Sequence, residues 1–338
     1  VIEAAGYDVT REYYVNDGGN QIRVFNESLY ARYMQAAGHD VSLPEGAYEG
    51  DYLTEYAAGL LESEGDRFVA MERVEATSEM AAIALKDTLK MIKEDIALLG
   101  IEYDVWYSEK SLLDNGKFQQ TMSYMDDLGQ IVERDGARWL KGQNEDDQDN
   151  VVIRSGDGGP TYFGTDIAYH YDKFDFRGFS KVIDVWGADH HGHIDRLKAA
   201  MDGLDIDPGR LTIILNQIVS FKEGDVAKRF SKRKGVMVTL RELVNEVGAD
   251  ACRYIFLSRS AEAQMEFDIE LAASRSMDNP VYYVQYAHAR ISSILRNAVD
   301  QGVDSTDADL ALLTHDAELA LIRQIIDLPE VIALSAER

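Results

Sequence analysis

The stretch Gly187-Ala-Asp-His-His-Gly-His-Ile-Asp-Arg196 places Asp189, His190, His191 and His193 within five positions. Such a cluster suits a metal site, a nucleotide-binding segment or a polar turn that opens a helix. A zinc site needs three or four ligands converging at about 2.0–2.3 Å. The remaining histidines, His170 and His288 among them, are isolated in sequence, and Cys252 is the single cysteine, so nothing obvious completes a metal shell. Lys222, Lys228, Arg229, Lys232, Arg233 and Lys234 form a second cluster, six cations in thirteen residues. Fixed cations of this kind stabilise charge building on a phosphate leaving group, although an exposed basic loop has the same composition. Tyr162 and Asp166 stand four apart, one turn if a helix has begun there. A carboxylate beside a phenol suits a planar guanidinium, and an aspartate near a helix start is also favoured by the helix dipole. Glu109, just after "YDVWYS", is either a strand-end ligand or an ordinary surface carboxylate.

These residues need elements to position them. "KVIDVW", "HIDRLKAAMDGL" and "RLTIILNQIVSF" read as strand, amphipathic helix and buried strand, which implies a parallel sheet covered on both faces. The opening cluster then lies at the C-terminal end of a strand, where open parallel sheets bind ligands. Upstream, "DVTREYYV" reads as a strand and "NDGGNQ" as a turn. Residues 77–100 read as a helix with Leu85, Leu89, Ile92, Ile96 and Leu99 on one face. A strand at "IEYDVWYSE" precedes a helix showing Phe118, Met122, Met125 and Leu128. "IVERDGARWL" reads as a hairpin about Asp135-Gly136. The chain is mostly helical after about Thr239, and Tyr282, Tyr283 and Tyr286, with Val281 and Ile291, form a stripe of the kind that packs in cores.

Bulk properties bound the function. The chain has 338 residues, 46% of them hydrophobic, enough for two or more domains. Its net charge of −26 argues against general polyanion affinity, so any nucleic-acid contact must be local. The single cysteine fits a reducing, cytoplasmic setting. No apolar run approaches the roughly 20 residues of a membrane span; the longest is broken by Asn216 and Gln217. The opening "VIEAAGYDV" reads as the end of a helix and "LPEVIALSAER" as a helix without a stop, so an internal piece of a longer protein is expected.

Seven segments in one order, "YDVTREYYVNDGGNQI", "YEGDY", "RDGARWL", "VIRSGDGGPTYFGTDIAYH", "VIDVWGADHHGHIDRLKAA", "RFSKRKGVMVTLRELVNEVGADACRYIFL" and "NPVYYVQYAHARI", resemble the arginyl-tRNA synthetases, class I aminoacyl-tRNA synthetases. The resemblance covers nearly the whole chain. It implies an α/β fold: a Rossmann-like catalytic domain with a parallel sheet missing its first strand, over residues 1–238 with an insertion at about 50–150. A linking region at 239–277 and a truncated all-α anticodon-binding bundle at 278–338 follow. It places a class I GxDxxxH pattern on Gly187, Asp189 and His193 for ATP, and puts His190 near arginine. "RFSKR" resembles the KMSKS loop, giving Arg229, Ser231 and Lys232 the phosphate-stabilising roles, with an arginine where the first lysine usually stands. Tyr162, Asp166 and Glu109 become the arginine contacts. His190-His191-Gly192-His193 only imitates the family's HxGH signature, which is expected upstream of Val1, so the chain as given is expected to be poorly active.

The implied reaction is arginine–tRNA ligation, with L-arginine, ATP carrying Mg²⁺ and tRNA(Arg) as partners, no resident metal, and neither membrane nor DNA involved. The family is commonly monomeric, so a monomer is expected. Two rival readings are a non-catalytic arginine- or RNA-binding paralogue without the HxGH loop, and a metal hydrolase built on Asp189, His190, His191 and His193.

Overall fold

The computed structural model describes residues 1–141, 150–154, 158–223, 226–228, 239–304 and 306–337. The described residues form two compact units. The larger comprises residues 13–102 and 106–273; the smaller comprises 1–12, 103–105 and 274–338.

In the larger unit, β1 (Glu12–Val15) leads into α1 (Gly19–Ala36), α2 (Asp51–Glu64) and α3 (Arg73–Ala97). The "NDGG" segment expected to be a turn is the entry to α1. Gly19 sits at φ +76°, a left-handed position that glycine adopts without strain, and helix follows at once. The three helices share a core of Leu29, Tyr33, Leu53, Phe68, Ala76 and Met80, so this helical layer begins ahead of the insertion expected at about 50. On α3 the fully buried face is Ala76, Met80 and Ala84, small or pliant residues that let helices approach. The stripe read from sequence lies partly open instead. Leu85, Leu89 and Ile92 face a cavity of about 790 Å³ shared with Tyr13, Ile22 and Phe25.

Strand β2 (Val105–Ser108) pairs with β1 and runs directly into α4 (Glu109–Asp114), followed by α5 (Lys117–Asp127). Strands β3 (Ile131–Arg134) and β4 (Ala137–Leu140) form the expected hairpin. Asp135 and Gly136 both have positive φ, 51° and 73°, as a tight primed turn demands. Strand β5 (Val151–Ile153) lies antiparallel to β4. Helix α6 (Tyr162–Tyr171) is capped by Thr161, whose hydroxyl accepts from Gly164 N at 3.0 Å, and ends in a π-helical turn, Asp172–Phe176.

Strand β6 (Val182–Gly187) passes through a 3₁₀ turn (Ala188–His193) and α7 (Ile194–Gly203) to reach β7 (Leu211–Asn216), parallel to β6 in register. The single buried strand expected over 210–221 is two strands. Chain direction breaks at Gln217 and Ile218, and β8 (Val219–Glu223) joins a different sheet. There it pairs antiparallel with β9 (Val226–Lys228) and parallel with β10 (Met265–Asp268). The sheet is not covered on both faces among the described residues. Exposure alternates along β6, with Val182 buried and Val185 62% exposed, the period-2 signature of a one-sided strand. Helices α8 (Leu240–Val247), α9 (Ala249–Leu257) and α10 (Ile269–Ala273) pack around Phe267 and Cys252. Thr239 and Glu242 form a reciprocal capping box at the start of α8.

The smaller unit carries α11 (Pro280–Asp300) and α12 (Asp316–Glu337). Asn279 caps α11 by accepting from Val281 N at 3.1 Å. Of the stripe, Val281 is buried, whereas Tyr283 and Ile291 are 56% and 58% exposed.

Candidate active site

Helix α6 begins at Tyr162, so the four-residue spacing to Asp166 puts both on one face. Asp166 is buried, and its Oδ2 meets His193 Nε2 at 2.9 Å. The His193 ring packs against Tyr162 and, edge-on, against Phe163. Arg196 donates to His193 Nδ1 at 3.4 Å; since a guanidinium only donates, Nε2 carries the ring proton and donates to Asp166. The helix lies hard against β5. A methyl group on Gly164 would stand 2.3 Å from Val152 O, so only glycine fits this crossing.

Glu109 opens α4 at the end of β2. Its turn is fixed by Asp17, which accepts from Ser108 Oγ at 2.6 Å and from Lys110 N at 3.0 Å. Burial raises the Glu109 carboxyl above the usual range, and the Asp17 and Asp166 charges push the same way; hydrogen bonds from Thr165 and Tyr14 partly offset them. The Asn16 amide donates to Glu109 Oε2 at 3.0 Å. Tyr162 is 55% exposed by area. Its hydroxyl is nonetheless pushed up, first by desolvation and then by Asp166, Glu109, Asp189 and Asp184. Tyr14 is pushed up for the same reasons, burial first and Glu109 and Asp166 next. With Asp184 paired to Lys173, the uncompensated carboxylates Asp166, Glu109 and Asp189 around this phenol favour a cation.

His190 lies beside Tyr162, with ring centroids 6.3 Å apart, and near Trp186. The Asp189 side chain is open to solvent, with His190 Nε2 3.9 Å from its Oδ1. Gly187 ends β6 opposite Asn216. Tyr162, Asp166, Glu109, His190 and His193 therefore come together, and Gly187 and Asp189 stand at the adjacent strand end. Arg229, Ser231 and Lys232 lie outside the described residues. Of the basic cluster, Lys222 is engaged by Asp268 at 3.2 Å and Glu266 at 3.4 Å, a local ion pair rather than an open phosphate contact. No group of three or more His, Cys, Asp or Glu able to hold a metal occurs among the described residues.

Sequence reasoning missed Tyr14, Asn16 and Thr165, which support Glu109, and the buried set His170, Lys173 and Asp184 beneath α6. Tyr14 looked like one of several strand aromatics. Its available signal was strand alternation, which turns it away from Tyr13, whose ring stacks on Trp106 at 4.6 Å.

A family model for the catalytic domain of class I tRNA synthetases (R) matches residues 1–271, and one for the DALR anticodon-binding domain matches residues 284–338. The chain is 46% identical to an arginine–tRNA ligase of Dehalococcoides mccartyi over 333 residues, 98% of this chain and 60% of the relative. It is 46% identical to an arginine–tRNA ligase of Heliobacterium modesticaldum over 344 residues, 99% of this chain and 61% of that one. A Campylobacter jejuni structure assigned as an arginyl-tRNA synthetase superposes with a TM-score of 0.84 at 35% identity, covering 99% of this chain and 74% of that one. The chain thus spans about three fifths of the length of the curated relatives it matches.

Proposed function

Because the chain belongs to the class I (R) tRNA synthetase catalytic family, we propose that it is the body of an arginine–tRNA ligase. The observation that carries this reading is that Glu109 and Asp166 both act on the phenols of Tyr14 and Tyr162, with Tyr162 beside His190 just past the C-terminal end of β6. A guanidinium offers five donors in a planar fork, and two carboxylates with phenolic neighbours can satisfy it. A lysine ammonium lacks the fork and would leave acceptors unpaired.

In the reaction, the arginine carboxylate attacks the α-phosphate of ATP and pyrophosphate leaves. A ribose hydroxyl at the 3′ end of tRNA(Arg) then takes the arginyl group, and AMP leaves. Neither step uses a protein nucleophile; positioning and electrostatics carry the rate. Asp166 and Glu109 hold the guanidinium, with Tyr162 and His190 beside it. Gly187 lets ATP approach the end of β6, Asp189 accepts from ribose hydroxyls, and His193 spans the two substrates. Lys232, Ser231 and Arg229 meet the phosphates. Mg²⁺ arrives on the triphosphate, as part of the substrate. Residues 1–238 act as the catalytic domain, 239–277 as a link and 278–338 as part of the anticodon module, in a monomeric cytoplasmic enzyme.

Arginine-dependent ATP–pyrophosphate exchange by the full-length gene product tests the assignment. Asp166→Asn keeps size but halves the negative charge facing the guanidinium, and kcat/KM for arginine is expected to fall at least about 100-fold, about 2.7 kcal/mol. Unchanged exchange in this variant overturns the reading.

A further inference from the structure

His170, Lys173 and Asp184 lie buried beneath the guanidinium site, and the reaction above gives them no task. His170 Nδ1 faces the backbone oxygen of Asp166 at 2.7 Å, and its Nε2 faces Asp184 Oδ2 at 2.5 Å. Lys173 Nζ donates to the other Asp184 oxygen at 2.8 Å. Burial by itself would raise the Asp184 carboxyl; the charges of His170 and Lys173 more than reverse that and hold it well below the usual range. A carbonyl oxygen only accepts, and so does an ionised carboxylate. Both ring nitrogens of His170 therefore face acceptors.

Burying a carboxylate with its ionisable partners is costly, and a packed apolar set of the same volume is often as stable or more so. Such a set would lack direction. Apolar packing is non-directional, whereas the hydrogen bond that crosses from α6 to β6 comes from a rigid ring already held to the Asp166 carbonyl one turn back on its own helix, and so has one geometry. The ring joins the Asp166 turn of α6 to the middle of β6, three residues before Gly187. His193 holds the same aspartate by its carboxylate from the far side.

We propose that His170 is a positioning residue for arginine recognition, fastening the Asp166 turn of α6 to Asp184 of β6 and so fixing the carboxylate relative to the nucleotide end of that strand. This rests on the reading of Asp166 as the guanidinium partner.

The test varies arginine and ATP in turn in the exchange assay, with the full-length gene product. His170→Asn keeps a donor near Nδ1 but does not reach Asp184. His170→Gln carries its donor near Nε2 and does. His170→Asn is expected to raise KM for arginine about tenfold with KM for ATP within about twofold, and His170→Gln to recover most of that loss. Equal rises in both Michaelis constants, no rise in either, or no recovery with glutamine overturns the proposal. If His170→Asn does not fold, Asp184→Asn, which keeps the shape and one acceptor, replaces it: an arginine-selective rise supports the tie and a uniform loss overturns it. An unaltered enzyme without arginine dependence overturns the functional reading itself, which separates the two failures.

Discussion

At Glu109, burial and binding pull in opposite directions. Its folded-state carboxyl is raised above the unfolded value. A raised carboxyl binds its proton more tightly when folded, so stability is lost as pH rises through that region and the ligand-free protein carries the cost at neutral pH. In its proposed role toward arginine Glu109 acts in the ionised form, so that binding is expected to be lost as pH falls through the same region. Glu109→Gln is therefore expected to raise the melting temperature of the ligand-free protein at neutral pH by roughly a few degrees while weakening arginine binding. Thermal denaturation with and without arginine checks both signs; a lower melting temperature without arginine contradicts the burial argument. The Tyr162–Asp166 pair was legible in sequence because one helical turn sets its geometry. Tyr14 and His170 were not, because what matters at each is a partner more than ten residues away or in another element.

Elements set by local chemistry were the readable ones. The Asp135-Gly136 turn demands positive φ at two successive positions, and the sequence supplies residues that tolerate it. The entry to α1 misled because glycine serves a turn and a left-handed step into a helix equally well. The run over residues 210–221 misled because composition does not report which sheet a strand joins; the polar pair Asn216-Gln217 was the one sign of a change of partner. Helix α3 shows a third limit, since its larger apolar residues face a cavity while Ala76, Met80 and Ala84 do the packing. At the crossing of α6 over β5, Gly164→Ala would push a methyl into Val152 O, where backbone must give way. A loss of about 3 kcal/mol, the upper end for overpacking, is expected in chemical denaturation, together with weaker arginine binding. An unchanged unfolding midpoint rules out that close approach.

Across the whole molecule, net charge is −26. Like charges repel most when the chain is compact, so salt that screens them should stabilise the fold. Raising ionic strength from about 0.01 M to about 0.15 M shortens the screening length from about 30 Å to about 8 Å. The melting temperature is expected to climb across this range, and a flat or falling response shows that attractive surface pairs outweigh the general repulsion. On the proposed function, the same acidity draws a cationic amino acid toward Glu109 and Asp166 and repels a triphosphate, whose counter-charge has to be local. In the proposed site, the close approach of Gly164 to Val152 also limits any change of selectivity. Helix α6 is seated without slack, so a bulkier or smaller side group would have to be accommodated by remodelling elsewhere, among Tyr14, Asn16 and Glu109.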